Sequence, residues 1–137
     1  MKPAMTKPND APNPYKVHTG FSHFIVATKY SYQGLWAGLK YESSFRQEAF
    51  AACVMFPAAW WLGKNWLEIS FLAALVILCL AMELINSAIE AVVDRNGYEW
   101  NEFAKLAKDY GSAAMHLCLM LTGGVWLTAL CVKMGWV

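Results

Sequence analysis

After Pro14 the chain contains one further proline, Pro57, and no Gly or Pro falls anywhere in residues 64–96. One long helix through that stretch is therefore the simplest reading. Charge is scarce too. Asp, Glu, Lys and Arg make up 15% of the residues and sum to a net +1, so bulk charge implies neither nucleic acid nor an acidic partner. None of the four cysteines, Cys53, Cys79, Cys118 and Cys131, belongs to a CxxC pair or stands at zinc-ligand spacing from a histidine. All four lie in apolar segments and read as small packing residues. A GxxxxGK[ST] loop is missing, as are the His-Arg-Asp and Asp-Phe-Gly signatures of protein kinases. Any nucleotide bound here is held by something other than the common cradles.

What the chain has in plenty is apolar surface. Hydrophobic residues make up 58% of it, against about 45–50% for an ordinary soluble domain. Seven Trp, seven Phe and six Tyr are many for 137 residues, and membrane proteins concentrate Trp and Tyr at the two interfaces. Residues 1–14 hold four of the five prolines with no apolar stretch to follow, so residues 1–19 read as a disordered tail and not as a signal peptide. From Phe21, the residues Phe24, Ile25, Thr28, Tyr32, Leu35, Trp36 and Leu39 share one helical face. That pattern predicts an amphipathic helix over 20–41, lying in a membrane interface.

Three apolar segments follow, at about 45–63, 66–93 and 111–133, with Gly63-Lys-Asn as the first break. Each approaches or exceeds the about 20 residues that a helix needs to cross the hydrocarbon. The expected fold is therefore an all-α membrane protein with one interfacial and three spanning helices, a single embedded domain over 20–137. Lys2, Lys7, Lys16, Lys29, Lys40, Arg46, Arg95, Lys105 and Lys108 fall on one side of that topology, and only Lys64 and Lys133 on the other. The bias places the N-terminus and the 94–110 loop in the cytoplasm and the C-terminus outside.

The run ELINSAIEAVVDR, residues 83–95, is the chemical centre of the chain. At about 100° per residue, Glu83, Asn86, Glu90 and Asp94 fall within roughly 80° of one another. An acidic residue in a span costs a few kcal/mol unless it is paired, protonated or metal-bound, so such a stripe signals use. Glu42 and Glu48 gather at the same cytoplasmic end of the neighbouring segment, with Lys108 and Asp109 at the start of the last. Several carboxylates and one lysine at a water–lipid boundary suit Mg²⁺, which takes one or two carboxylates and fills its shell with phosphate oxygens. Glu83 lies deepest and suits a general base. The chemistry indicated is phosphoryl transfer at a membrane surface.

The same run, with KDYGSAA at 108–114 downstream and ESSFRQE at 42–48 upstream, resembles the prokaryotic diacylglycerol kinase family. The resemblance covers about residue 20 to the end. It implies a homotrimer of the bacterial inner membrane, with its active site at the cytoplasmic face. The implied reaction passes the γ-phosphate of MgATP to diacylglycerol and yields phosphatidate. By resemblance, Glu83 is the catalytic base and Glu42 and Glu90 hold the metal. Tyr30, Glu99, Lys108 and Asp109, with Glu42 and Glu90, contact ATP. Ser44, Phe45, Arg46, Gln47, Glu48, Ser112 and Trp126, together with Glu83, line the lipid site, and Asn86 and Asp94 shape it. The interfacial helix departs from the family. His23 stands where an Arg is expected among the ATP contacts, and Val26, Gln33 and Trp36 replace basic residues, with Lys29 compensating in part.

Plainer readings accompany several of these residues. Arg46 and Glu48 suit an ion pair, His116 a packed core histidine, and Trp100 and Trp126 interface anchors or packing residues. Two other functions remain open on sequence. A polyprenol such as undecaprenol is an alternative acceptor for the same chemistry. A small proton-coupled exporter using Glu83 as carrier is a different class, which predicts four spans and a midplane carboxylate.

Overall fold

A computed structural model of the chain describes residues 21–95 and 100–136; of Phe21 and Ser22 only the backbone is considered. The described residues form four α-helices: α1 (Phe21–Tyr41), α2 (Ser43–Leu62), α3 (Trp66–Asp94) and α4 (Glu102–Met134). The expected tail over 1–19 lies outside the described residues. The chain divides into two compact units, Met1–Trp36 and Ala37–Val137.

In the first unit, α1 shows its aromatic and aliphatic side chains to the surroundings. Phe24, Ile25, Tyr32 and Trp36 are all more than half exposed. Thr28 Oγ1 and Ser31 Oγ each donate to the backbone carbonyl four residues earlier, at 2.9 and 3.0 Å. Their hydroxyls are thus satisfied within the helix and take nothing away from its apolar face.

In the second unit, α3 packs along both α2 and α4, while α2 and α4 touch only slightly. The ends of the helices are written in the sequence. Asn65 caps α3, its side chain accepting from Glu68 N at 3.0 Å; Glu68 in turn accepts from Asn65 Nδ2 at 2.9 Å and from Lys64 N at 2.8 Å. This reciprocal arrangement satisfies first-turn donors that would otherwise lack partners. Asn101 caps α4 in the same way, through Ala104 N at 3.1 Å. Gly135 ends α4 with φ of 72°, and Trp136 N and Gly135 N reach back to the carbonyls of Cys131 and Val132. That left-handed turn favours Gly, because a Cβ there is strained.

The core of this unit is thin. Ala59, Leu62 and Leu72 pack with Val125, Trp126, Ala129 and Leu130 at one end. Cys79, Met115 and Cys118 pack with Met82 further along. Phe45, Leu75 and Val76 are also buried, but most other large apolar residues are exposed, among them Phe50, Leu67, Phe71 and Leu117. Two helices, α3 and α4, are long and apolar enough to cross a membrane, and only 28% and 17% of their apolar windows are buried. The core helix of a soluble protein would be mostly buried, so these helices meet lipid or other protein.

Among the described residues α2 does not reach the same standard. Its first two turns carry Ser43, Ser44, Arg46, Gln47 and Glu48, and Pro57 lies inside it. The first expected span, 45–63, is thus less apolar than the other two. The last expected span also differs from the helix that contains it: the charge-free run begins at Gly111, but the helix begins at Glu102.

Candidate functional site

Glu83 is the one acidic side chain fully buried in the described residues, 6% exposed. It sits on α3 facing the start of α2. The Ser44 hydroxyl lies close to its carboxylate, and Glu42, Glu48 and Glu90 lie within electrostatic range. A one-residue junction makes this convergence possible. Glu42 alone separates α1 from α2, with φ −98° and ψ 115°, and the backbone closes around it through Glu42 N to Gly38 O at 3.0 Å. Gly38 permits the tight approach, since a Cβ there would come within 2.8 Å of Phe45 and 2.9 Å of Leu84. Phe45, 3% exposed, is therefore packed in the core at this corner.

Glu42 occupies the N-cap position of α2, yet its side chain makes no capping hydrogen bond. Its carboxylate is free of local duty. Arg46 does have such a duty. Its Nη1 donates to the carbonyls of Lys40 at 3.2 Å and Leu39 at 3.4 Å, at the C-terminal end of α1. The expected ion pair with Glu48 does not form, because residues two apart project from different sides of a helix. Glu48 Oε2 is instead buried without a partner.

The acidic stripe continues along α3. Asn86 Nδ2 donates to Glu90 Oε1 at 3.2 Å, which fixes one oxygen of that carboxylate and leaves the other open. Asp94, at the end of the helix, accepts from Lys108 Nζ of α4 at 2.5 Å. Lys108 uses one of its three hydrogens there. Asp109 pairs with Lys105 at 2.6 Å, an exposed pair one helical turn apart.

One feature of this site escapes the sequence. Gly111 is buried on α4 where Asn86 crosses from α3, and a Cβ there would overlap Asn86 Oδ1. This glycine belongs to the KDYGSAA run, but nothing in that run announces an interhelical seat for an amide. Asn86 Oδ1 is itself buried without a hydrogen-bond partner. Gly111→Ala should therefore destabilise the fold by about 1–3 kcal/mol, the usual range for overpacking. Thermal denaturation measures it. If the loss persists unchanged in an Asn86→Ala background, the contact with Asn86 is not its cause.

The remaining expected positions are distributed as follows. Gln47 and Ser112 are exposed. Trp126 packs on the Ala59–Leu62–Leu72 cluster, with its Nε1 buried and unpartnered. His116 is exposed, which corrects the expectation of a core histidine: on α4 the core face is taken by Gly111, Met115, Cys118 and Thr122, and His116 falls off it. Trp100 is 79% exposed, as an anchor would be. Cys79 and Cys118 are buried, whereas Cys53 is exposed, so packing describes only part of the cysteine set. His23 and Tyr30 belong to the first unit and are exposed there. Glu99 lies outside the described residues. A groove of about 570 Å³, lined by residues such as Leu62, Phe71, Leu121 and Val125, lies at the opposite end of the bundle from the carboxylates.

Among the described residues no three His, Cys, Asp or Glu side chains stand close enough to hold a metal between them. The arrangement can instead present a buried carboxylate beside a hydroxyl, with half-buried carboxylates at the start of α2 and nearer the end of α3.

Residues 29–130 match the family description prokaryotic diacylglycerol kinase. The chain is 46% identical over 108 residues to a diacylglycerol kinase of Haemophilus influenzae, spanning 79% of this chain and 92% of that protein. It is 39% identical over 120 residues to one of Pseudomonas aeruginosa, spanning 88% and 98%. Against one of Escherichia coli K12 the identity is 41% over 108 residues, spanning 79% and 88%.

Proposed function

The chain belongs to the prokaryotic diacylglycerol kinase family, whose members are lipid kinases, and on that premise we propose that it transfers the γ-phosphate of MgATP to the free hydroxyl of a diacylglycerol. The products are phosphatidate and ADP. The protein works in this reading as a homotrimer of the bacterial inner membrane, with α2 as a third span beside α3 and α4, α1 in the interface, and the carboxylates at the cytoplasmic face. The observation that carries the reading is the placement of Glu83: buried on α3, beside Ser44 and in range of Glu42, Glu48 and Glu90.

The donor set fits a hard divalent cation. Glu42 brings a carboxylate with no capping duty, and Glu90 brings one with a single oxygen tied to Asn86. Two carboxylates with phosphates and water match what Mg²⁺ accepts, so a third protein ligand is not required. When bound, Mg²⁺ neutralises charge on the transferring phosphate. Asn86 orients Glu90 for that role. Lys108, held by Asp94, keeps two hydrogens for phosphate oxygens. Glu83 lies seven residues deeper than Glu90, about 10 Å at 1.5 Å per residue. The lipid hydroxyl arrives from the bilayer side, so Glu83 accepts its proton as the oxygen attacks phosphorus. The unpartnered oxygen of Glu48 is placed to accept from the lipid hydroxyl, and Trp126, packed on the Ala59–Leu62–Leu72 cluster, lines the path of the acyl chains.

The test is ATP-dependent phosphorylation in mixed micelles with purified protein, with diacylglycerol and undecaprenol offered separately. Preferential labelling of diacylglycerol supports the reading; labelling of undecaprenol alone replaces the acceptor; labelling of neither overturns it. Family membership leaves no place for the exporter.

The proposed orientation follows from the Lys and Arg distribution. In a background lacking native cysteines, a Cys at position 65 should react with an impermeant reagent in intact cells, and one at 101 should not. Equal reaction at both would overturn the topology.

A further inference from the structure

We propose that Cys79, Met82, Met115 and Cys118 form a binding site for a soft monovalent cation of the Cu(I) or Ag(I) class. The two thiols meet across α3 and α4 with Sγ–Sγ at 3.3 Å, in contact but unbonded. Thr122 Oγ1 lies 3.1 Å from Cys79 Sγ. Met115 and Met82 pack in the same cluster, and both cysteines are less than 10% exposed. The two helices run antiparallel, and each methionine stands three residues from its cysteine. Both thioethers therefore fall on the Glu83 side of the thiol pair.

Sulfur donors select soft ions. Thioethers and thiolates favour Cu(I) and its analogues, whereas Zn²⁺ seeks four thiolate, imidazole or carboxylate ligands that this cluster does not have. Charge argues the same way. One thiol loses its proton to water as the M⁺–S bond forms, and the pair M⁺ with one thiolate is neutral. The second thiol and both thioethers then donate without charge, so no net charge is left in an apolar core. Cys79 precedes Glu83 by one helical turn and shares its buried face, so occupancy would bear on the proposed base.

The experiment uses the full chain in detergent micelles, with Cys53→Ser and Cys131→Ser as background. Cu(I) is titrated anaerobically against a chromogenic Cu(I) chelator, with proton release followed in parallel. The expected result is one ion withdrawn per chain and one proton released per ion. Cys79→Ser and Cys118→Ser should each weaken binding at least about 10-fold, in line with losses seen when metal sites are disturbed. Met82→Leu and Met115→Leu conserve volume and should fold; each should weaken binding measurably. Undiminished binding in the Cys79→Ser/Cys118→Ser double variant overturns the site. So does unchanged affinity in both methionine variants, or loss of the two thiols as a disulfide without retained metal.

Discussion

Glu83→Gln should lower kcat by about 10²-fold or more, the scale expected when a general base is lost. The substitution keeps shape and hydrogen-bonding capacity toward Ser44 but removes the proton acceptor. The buried setting sharpens the expectation, since at 6% exposure the site leaves little room for water to act in its place. Because Glu83 lies deeper than the proposed metal ligands, MgATP binding should change little and excess Mg²⁺ should not restore the rate. Steady-state kinetics across a range of Mg²⁺ concentrations give the answer. Recovery of kcat at high metal would mean that Glu83 binds metal and that depth does not divide the roles.

Glu90→Gln should act in the opposite manner. Its carboxylate holds one oxygen on Asn86 and leaves the other open. Removing that charge should raise the KM for MgATP, with partial rescue by more Mg²⁺ or by Mn²⁺. A variant that fails at every metal concentration with unchanged nucleotide binding would assign Glu90 to chemistry. The pair of titrations is informative because the two residues lie on one helix and differ mainly in depth.

Much of this arrangement can be read from residue types alone. The helix expected at 20–41 appears as Phe21–Tyr41, and the segment expected at 66–93 as Trp66–Asp94. Both are bounded by local signals: Glu42 breaks the first, and Asn65 with Glu68 starts the second. The start of α4 was hidden because a charge-free run marks hydrocarbon, whereas a helix continues through any good helix formers. Glu102–Lys108 is polar but rich in Ala, Lys and Leu, and Asn101 caps it. The acidic stripe was legible because helical periodicity alone groups Glu83, Asn86 and Glu90. The seat of Asn86 on Gly111 and the meeting of Cys79 with Cys118 were not. Each depends on the register between two helices, and a register is set by packing that no single segment displays.

The idle cap at Glu42 has a consequence for anyone breeding this protein for robustness. A serine, aspartate or asparagine at that position would satisfy a first-turn N–H of α2 and add about 1 kcal/mol of stability. A heat-selection campaign would thus be drawn to residue 42 early. Ser and Asn take the carboxylate away, and Asp draws a shorter one back onto its own helix. Survivors of such a campaign would be sturdier proteins with a poorer grip on the metal that Glu42 is proposed to hold, so heat resistance at this corner would be gained against turnover.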